Sequence, residues 1–258
     1  MSGWNWRRFA MRASQGVIAV ECAWVIWTLL GFDPRFPVGS DYRAVVEAAS
    51  RWLAGGSFYA PQQLAGPYPP ILPAPYLPNI MYPPVTLWLF VLFTILPAVL
   101  WWALPVAGVA WSFYRLRPAW WAWPIIAALW LYPRAPEAVQ NGNPVMWALL
   151  AVSLGCVYAG PAALALFKPT LGLFALFGVR RRRWWLALGM LGLLCLPFGA
   201  MWLDYARVVA NLRSPLWFLW HDWPLMTVPV VAWLARSSPS LAAPYRQQVS
   251  AAPSAPSE

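Results

Sequence analysis

Asp41 and Lys168 are the two side chains whose type and surroundings most directly invite chemistry. Asp41 stands at the start of an amphipathic segment, 40–54, directly after an apolar run. Its carboxylate has two readings: a helix N-cap that accepts backbone N–H bonds, or a general base that takes a proton from a hydroxyl nucleophile. Lys168 is the only lysine in the chain and lies inside an apolar run. At the α-helical rise it stands roughly 18 Å from Arg180, far from either end of a span. A cation there costs about 2.5–3.5 kcal/mol on insertion scales, so Lys168 is expected to face inward, with a phosphate as its natural anionic partner. Glu21 is a second charge inside an apolar run, open either to pairing with Lys168 or to protonation.

Other polar residues have more ordinary roles. Glu47 has Arg43 and Arg51 one helical turn to either side and is expected to form solvated pairs. Asp33 precedes a proline and reads as turn chemistry. The run QNGNP, 140–144, supplies the amides of Gln140, Asn141 and Asn143 with a flexible glycine, either as a polar turn before a helix or as ligand-facing groups. A single histidine, His221, excludes a multi-histidine metal site and a Ser-His-Asp triad. Cys22, Cys156 and Cys195 fall in apolar runs without paired spacing and read as small hydrophobes.

These residues must be held by a helical scaffold. The chain is 61% hydrophobic and only 10% charged, against about 25% charged in a typical soluble domain, so too few polar side chains exist to coat a soluble surface. Apolar runs recur from Gly16 to Arg236. The expected fold is therefore all-α: a polytopic integral membrane helical bundle with about eight transmembrane helices. The expected spans lie at 16–32, 85–96, 98–114, 119–132, 145–159, 162–179, 184–203 and 224–234. Residues 1–236 read as one domain and 237–258 as a disordered polar tail.

Topology follows from charge. Arg7, Arg8 and Arg12 precede the first span and Arg180–Arg183 close a later one, which sets both termini in the cytoplasm of a multi-pass cell-membrane protein. The segment from Asp33 to Pro84 is then a long outer first loop. It contains the amphipathic helix, with Val45, Ala48, Ala49, Trp52 and Leu53 on one side. After it comes a Pro-, Gly- and Tyr-rich stretch, 55–84, that forbids regular helix and is expected to pack by its tyrosines, Tyr59 and Tyr82 among them. Residues 134–144 form a polar break and 204–223 a second outer loop. The pairs Trp101/Trp102, Trp120/Trp121 and Trp184/Trp185 are expected to anchor the interface. The net charge of +10 is spread between spans, which suits anionic headgroups and argues against a nucleic-acid partner.

Taken together, four pieces resemble the family 87 glycosyltransferases, mannosyltransferase-like membrane enzymes of the C-type fold: SDYRAVVEAASRWLAGGSFYA (40–60), MYPPVTLWLF (81–90), VQNGNPVMWALL (139–150) and AGPAALALFKPTLGLFALFGVRRRRWW (159–185). The lysine is followed directly by Pro169, where the family pattern is Lys-x-x-Pro-like. Family members also continue through further spans, so this chain is expected to be a short member. The resemblance implies inverting transfer of a hexose such as mannose from a polyprenyl-phosphate donor to a glycan or glycolipid hydroxyl at the outer face. Asp41 would be the base, and Lys168 with Arg207 would serve the lipid phosphate. Tyr59, Tyr82, Gln140, Asn141, Asn143 and Glu21 are further candidates. No cofactor is implied, since the lipid-linked sugar is itself a substrate; a divalent ion held by carboxylates alone stays open. The competing reading is a noncatalytic lipid-binding or transport scaffold.

Overall fold

The computed structural model describes residues 5–31, 38–69, 79–213 and 220–236. The chain is an all-helical bundle, and among these residues pairing of β type is limited to two isolated bridges. The helices are α1 (Trp6–Leu29), α2 (Ser40–Leu53), α3 (Pro61–Ala65), α4 (Leu87–Leu92), α5 (Val99–Leu116), α6 (Ala122–Trp130), α7 (Arg134–Asn141), α8 (Val145–Tyr158), α9 (Gly172–Ala175), α10 (Arg182–Cys195), α11 (Met201–Asn211) and α12 (Trp223–Leu234). Asp33 and the tail at 237–258 lie outside the described residues.

Several elements differ from the sequence pattern. The apolar run at 162–179 is not one α-helix but 3-10 turns, Gly160–Phe167 and Pro169–Leu171, joined through an extended Lys168 to the single turn of α9. Pro161 and Pro169 remove backbone donors that an α-helical ladder would need. The supposed polar break at 134–144 is helical over α7, and the supposed second loop at 204–223 begins as α11. Within the Pro/Tyr stretch, α3 forms because Pro61 stands at the first helical position, where a missing N–H costs nothing. By length and composition, α1 is the one described helix long and apolar enough to cross a membrane. The pair made by Arg182–Phe198 and Met201–Asn211 passes only when counted together across a 97° bend.

Two apolar clusters carry the packing. One joins α6, α7, α8, α9 and α12 through Ile126, Ala138, Val152, Phe174 and Met226. The other joins α2, α4, α5 and the Pro/Tyr stretch through Val45, Ala49, Tyr59, Phe90 and Trp101. Tyr59 and Tyr68 are buried, as their stretch was expected to require, with Tyr59 donating to the Tyr82 carbonyl at 2.9 Å and Tyr68 to the Val208 carbonyl at 2.9 Å. Trp101, expected at an interface, is instead wholly buried and donates to the Gly142 carbonyl at 2.8 Å.

The bundle has two unlike ends. Arg7 lies 5.7 Å from the Trp120 ring, Arg236 bridges to Pro118, and the Arg183 backbone packs beside Gly160. Helix α8 begins two residues beyond Asn143 and finishes at Tyr158, stacked on Trp111 near the end of α5. That is roughly 20 Å at the α-helical rise. Its start, with α2, α7 and the entry to α12, forms the opposite end, where Asp41 and Asp222 lie.

A candidate active site of two linked aspartates

Helix α2 presents Asp41 at its second residue. Its N-cap is Gly39, which makes no side-chain capping bond, so Asp41 does not cap the helix. The carboxylate reaches across to α8's entry, where Asn143 Nδ2 donates to Asp41 Oδ2 at 2.5 Å. Asn143 Oδ1 in turn accepts from the Tyr82 hydroxyl at 3.2 Å and from the Val145 backbone N–H at 2.9 Å. The amide orientation is thereby fixed, with its donor aimed at Asp41.

The α7–α8 turn that carries Asn143 depends on glycine. Gly142 has φ of +65°, and a Cβ there would stand 2.7 Å from the Trp102 ring and 2.9 Å from the Tyr42 Cβ. Only a residue without a side chain adopts that backbone without strain and lets the two aromatics close over it. Gly39 N–H donates to the Gln140 carbonyl at 2.9 Å, tying α2's start to the same turn. Gln140 is buried, and among the described residues its Nε2 has no hydrogen-bond partner.

Beyond Tyr82 lies a second polar centre. Lys168 Nζ sits 5.8 Å from the Tyr82 ring centroid and pairs with Asp222 Oδ2. Asp222 Oδ1 accepts from Arg134 Nε at 2.7 Å, and His221 Nε2 approaches the same oxygen at 3.4 Å. Arg134 also meets Glu137 at 3.0 Å on its solvent side. The extended backbone at Lys168, between two 3-10 turns, turns its side chain inward, and the turn before α12 brings Asp222 to it.

The two carboxylates titrate in opposite directions. Burial pushes Asp41 above the usual carboxylate range, and the Asn143 bond with the more distant charges of Arg134 and Lys168 only partly opposes it. Burial also acts against ionised Asp222, but Lys168, Arg134 and His221 outweigh it and hold the group at about 2. The site thus joins a carboxylate whose surroundings favour its protonated form more than usual to one whose surroundings favour its ionised form.

Of the expected site residues, Asp41, Asn143, Tyr82 and Lys168 come together. Gln140 and Asn141 lie on α7 beside them, and Tyr59 supports the Tyr82 backbone without reaching Asp41. Glu21 does not meet Lys168, whose carboxylate partner is Asp222. Arg207 is exposed on α11 and paired with Asp204 at 3.1 Å. Glu47 reaches Arg51 only at 4.0 Å. Arg134 and Asp222 were not foreseen. The signal for Asp222 was available, since a carboxylate between tryptophans at the start of an apolar run needs a buried partner as much as Lys168 does. No three His, Cys, Asp or Glu side chains among the described residues gather to hold a metal ion. Comparisons of the chain with protein-family models, curated proteins and solved structures find no match.

Proposed function

We propose that the chain is a multi-pass membrane glycosyltransferase that moves a hexose from a polyprenyl-phosphate donor to an acceptor hydroxyl at the outer face. The observation that carries the reading is the approach of a carboxylate, Asp41, to a buried cation, Arg134, and a partly buried one, Lys168, across one Tyr82–Asn143 bridge. Transfer needs both. The acceptor hydroxyl gives its proton to Asp41 as its oxygen bonds to the anomeric carbon. The carbon–oxygen bond to phosphate breaks, its electron pair stays on the phosphate, and the cations stabilise that charge. Attack opposite the leaving phosphate inverts the anomeric carbon.

Embedding in a bilayer is supported by the surface. Large apolar side chains are exposed along the helices, including Val20, Ile26, Val99, Val106, Leu186 and Leu193, as a lipid-facing surface requires. The arginine-bearing end suits the cytoplasm, which leaves Asp41 and Asp222 at the outer end. Helices α6, α8 and α12 are shorter than the roughly 20 residues of a simple span, so on this reading the bilayer thins around the bundle.

A noncatalytic lipid-binding scaffold is the second reading. It draws on an apolar cleft of about 710 Å³ beside α1, lined by Ile18, Val25, Val109, Phe113, Ile126 and Leu149. The deciding experiment reconstitutes the protein in lipid with radiolabelled polyprenyl-phosphate sugars and membrane extract. The enzyme reading expects label in a new glycan or glycolipid, lost in Asp41→Asn and slowed in Lys168→Met. Label that binds but never moves would favour the scaffold.

A further inference from the structure

Asp222, Lys168 and Arg134 form the most enclosed charge cluster described. The Asp222 side chain is 2% exposed, against 10% for Arg134 and 18% for Lys168. The carboxylate is thus more enclosed than its cations; Lys168 also faces the Tyr82 ring at 5.8 Å, and the charges of both cations reach Asp41. Two cations and one carboxylate sum to a single positive charge. Glu137 adds a half-exposed, solvent-screened partner to Arg134, and His221 approaches Asp222 from its own turn.

We propose that Asp222 is a specificity determinant: it sets an anion seat made by Lys168 and Arg134 to one net positive charge, matching a singly charged phosphodiester and disfavouring a doubly charged phosphomonoester. The inference rests on the transferase reading, in which the donor is a lipid phosphodiester. When the anomeric carbon–oxygen bond breaks, the electron pair remains on phosphate, Asp41 takes the acceptor's proton, and the spent lipid is a monoester. A phosphomonoester carries about −1.5 to −2 charges at neutral pH. An uncompensated pair of cations would hold that product more tightly than the donor, and turnover would stall on release. A fixed carboxylate at contact with both cations opposes the product's extra charge. At about 5 Å and an effective dielectric of about 20, one unit charge alters affinity by more than tenfold.

The test is equilibrium binding to the full chain in detergent micelles at about pH 8, where a phosphomonoester is doubly ionised. The probes are farnesyl phosphate, farnesyl methyl phosphate and neutral farnesol. The wild type is expected to bind the diester at least as tightly as the monoester. Asp222→Asn, with two net charges, should shift the ratio at least about tenfold towards the monoester. Arg134→Met, with none, should shift it the other way. Arg134→Met with Asp222→Asn restores one charge and should restore the wild-type ratio at lower affinity. Arg134→Met keeps the Lys168–Asp222 pair, and the paired variant takes the carboxylate from Lys168 alone where Asp222→Asn takes it from both cations, so these two variants decide the matter even if Asp222→Asn does not fold. A ratio unchanged across the series, or wild-type binding of both phosphates no better than farnesol, overturns the proposal. A ratio that tracks charge without any sugar transfer would instead remove the transferase reading and leave the seat. Transfer with an unchanging ratio would do the reverse.

Discussion

Asp41 and Asp222 are carboxylates at the same end of one bundle, linked through Asn143, Tyr82 and Lys168, yet their surroundings ask opposite things of them. Asp222 touches two cations and a histidine, and their field overrides the cost of burying its charge. Asp41 touches an amide and a serine hydroxyl, with the same cations one layer further off, and burial prevails. A single layer of side chains, Tyr82 with Asn143, separates a carboxylate held ionised by its cations from one whose burial favours its protonated form. Burial alone does not determine a carboxylate's role; what lies at contact distance does.

The largest expected break in this comparison is Asp41→Asn. It keeps shape and removes the proposed base, so the proposed sugar transfer should fall by about 10²–10⁴-fold, while the thermal midpoint stays near that of the wild type. Loss of transfer together with loss of folding would make Asp41 structural. Removing the other carboxylate should do the opposite. Asp222→Asn leaves Lys168 without its carboxylate and Arg134 with only the half-exposed Glu137, at a cost of about 3–5 kcal/mol, read as a lowered midpoint in thermal unfolding. Arg134→Met with Asp222→Asn should recover part of that loss.

Acid titration sharpens the same contrast. Asp222 is lowered from its ordinary 3.8 to about 2, so its contribution to stability is whole above 3.8 and is lost as pH falls towards 2. Asp41 is raised, so protonation favours the folded form and its burden on stability appears as pH rises through its elevated value. Transfer should gain with pH across that same elevated range, because only ionised Asp41 accepts a proton. A midpoint for activity within the ordinary carboxylate range would contradict the environment described for Asp41. In the Asp222→Asn variant the stability loss below 3.8 should flatten while the activity midpoint remains elevated.

The sequence made one half of this contrast legible. Asp41 stood out as an acid opening an amphipathic segment, Lys168 as a lone cation in an apolar run, and Asn143 as an amide at a helix start. Asp222 carries a local signal, a carboxylate between tryptophans at the start of an apolar run, but Arg134 lies 88 residues away along the chain, and local pattern does not join the two. Glu21 was matched to Lys168 on sign alone, but α1 lies against α6 and α7. The all-helical class followed from apolar runs. The 3-10 path through Lys168 did not, since apolar composition is the same in either helix and only Pro161 and Pro169 hinted at the break.

Gly142→Ala tests the turn that gives Asp41 its amide partner. A methyl group would meet the Trp102 ring and the Tyr42 Cβ inside van der Waals contact, on a backbone with positive φ. Overpacking of this kind costs about 1–3 kcal/mol. Because the turn holds Asn143, transfer should fall along with the midpoint, whereas the phosphate-binding ratio set around Asp222 should not move. A change in that ratio would mean the two centres are less separable than Tyr82 makes them.

The smallest expected effect comes from Tyr82→Phe, which probes the separating layer itself. The substitution keeps the ring beside Lys168, so the 5.8 Å cation–ring contact and the apolar packing against Phe90 persist. It removes one hydrogen bond, the hydroxyl's donation to Asn143 Oδ1. That oxygen retains the Val145 N–H at 2.9 Å, so it is not left unsatisfied. The loss should be about 0.5–1.5 kcal/mol in stability, the worth of one neutral hydrogen bond. If the hydroxyl only helps fix the amide, transfer should fall by a few-fold, with the elevated pH midpoint retained, because Asn143 still donates to Asp41 and burial is unchanged. A much larger loss of transfer at nearly wild-type stability would show that the Tyr82 hydroxyl touches the reacting groups, and the layer between the two aspartates would itself be part of the chemistry.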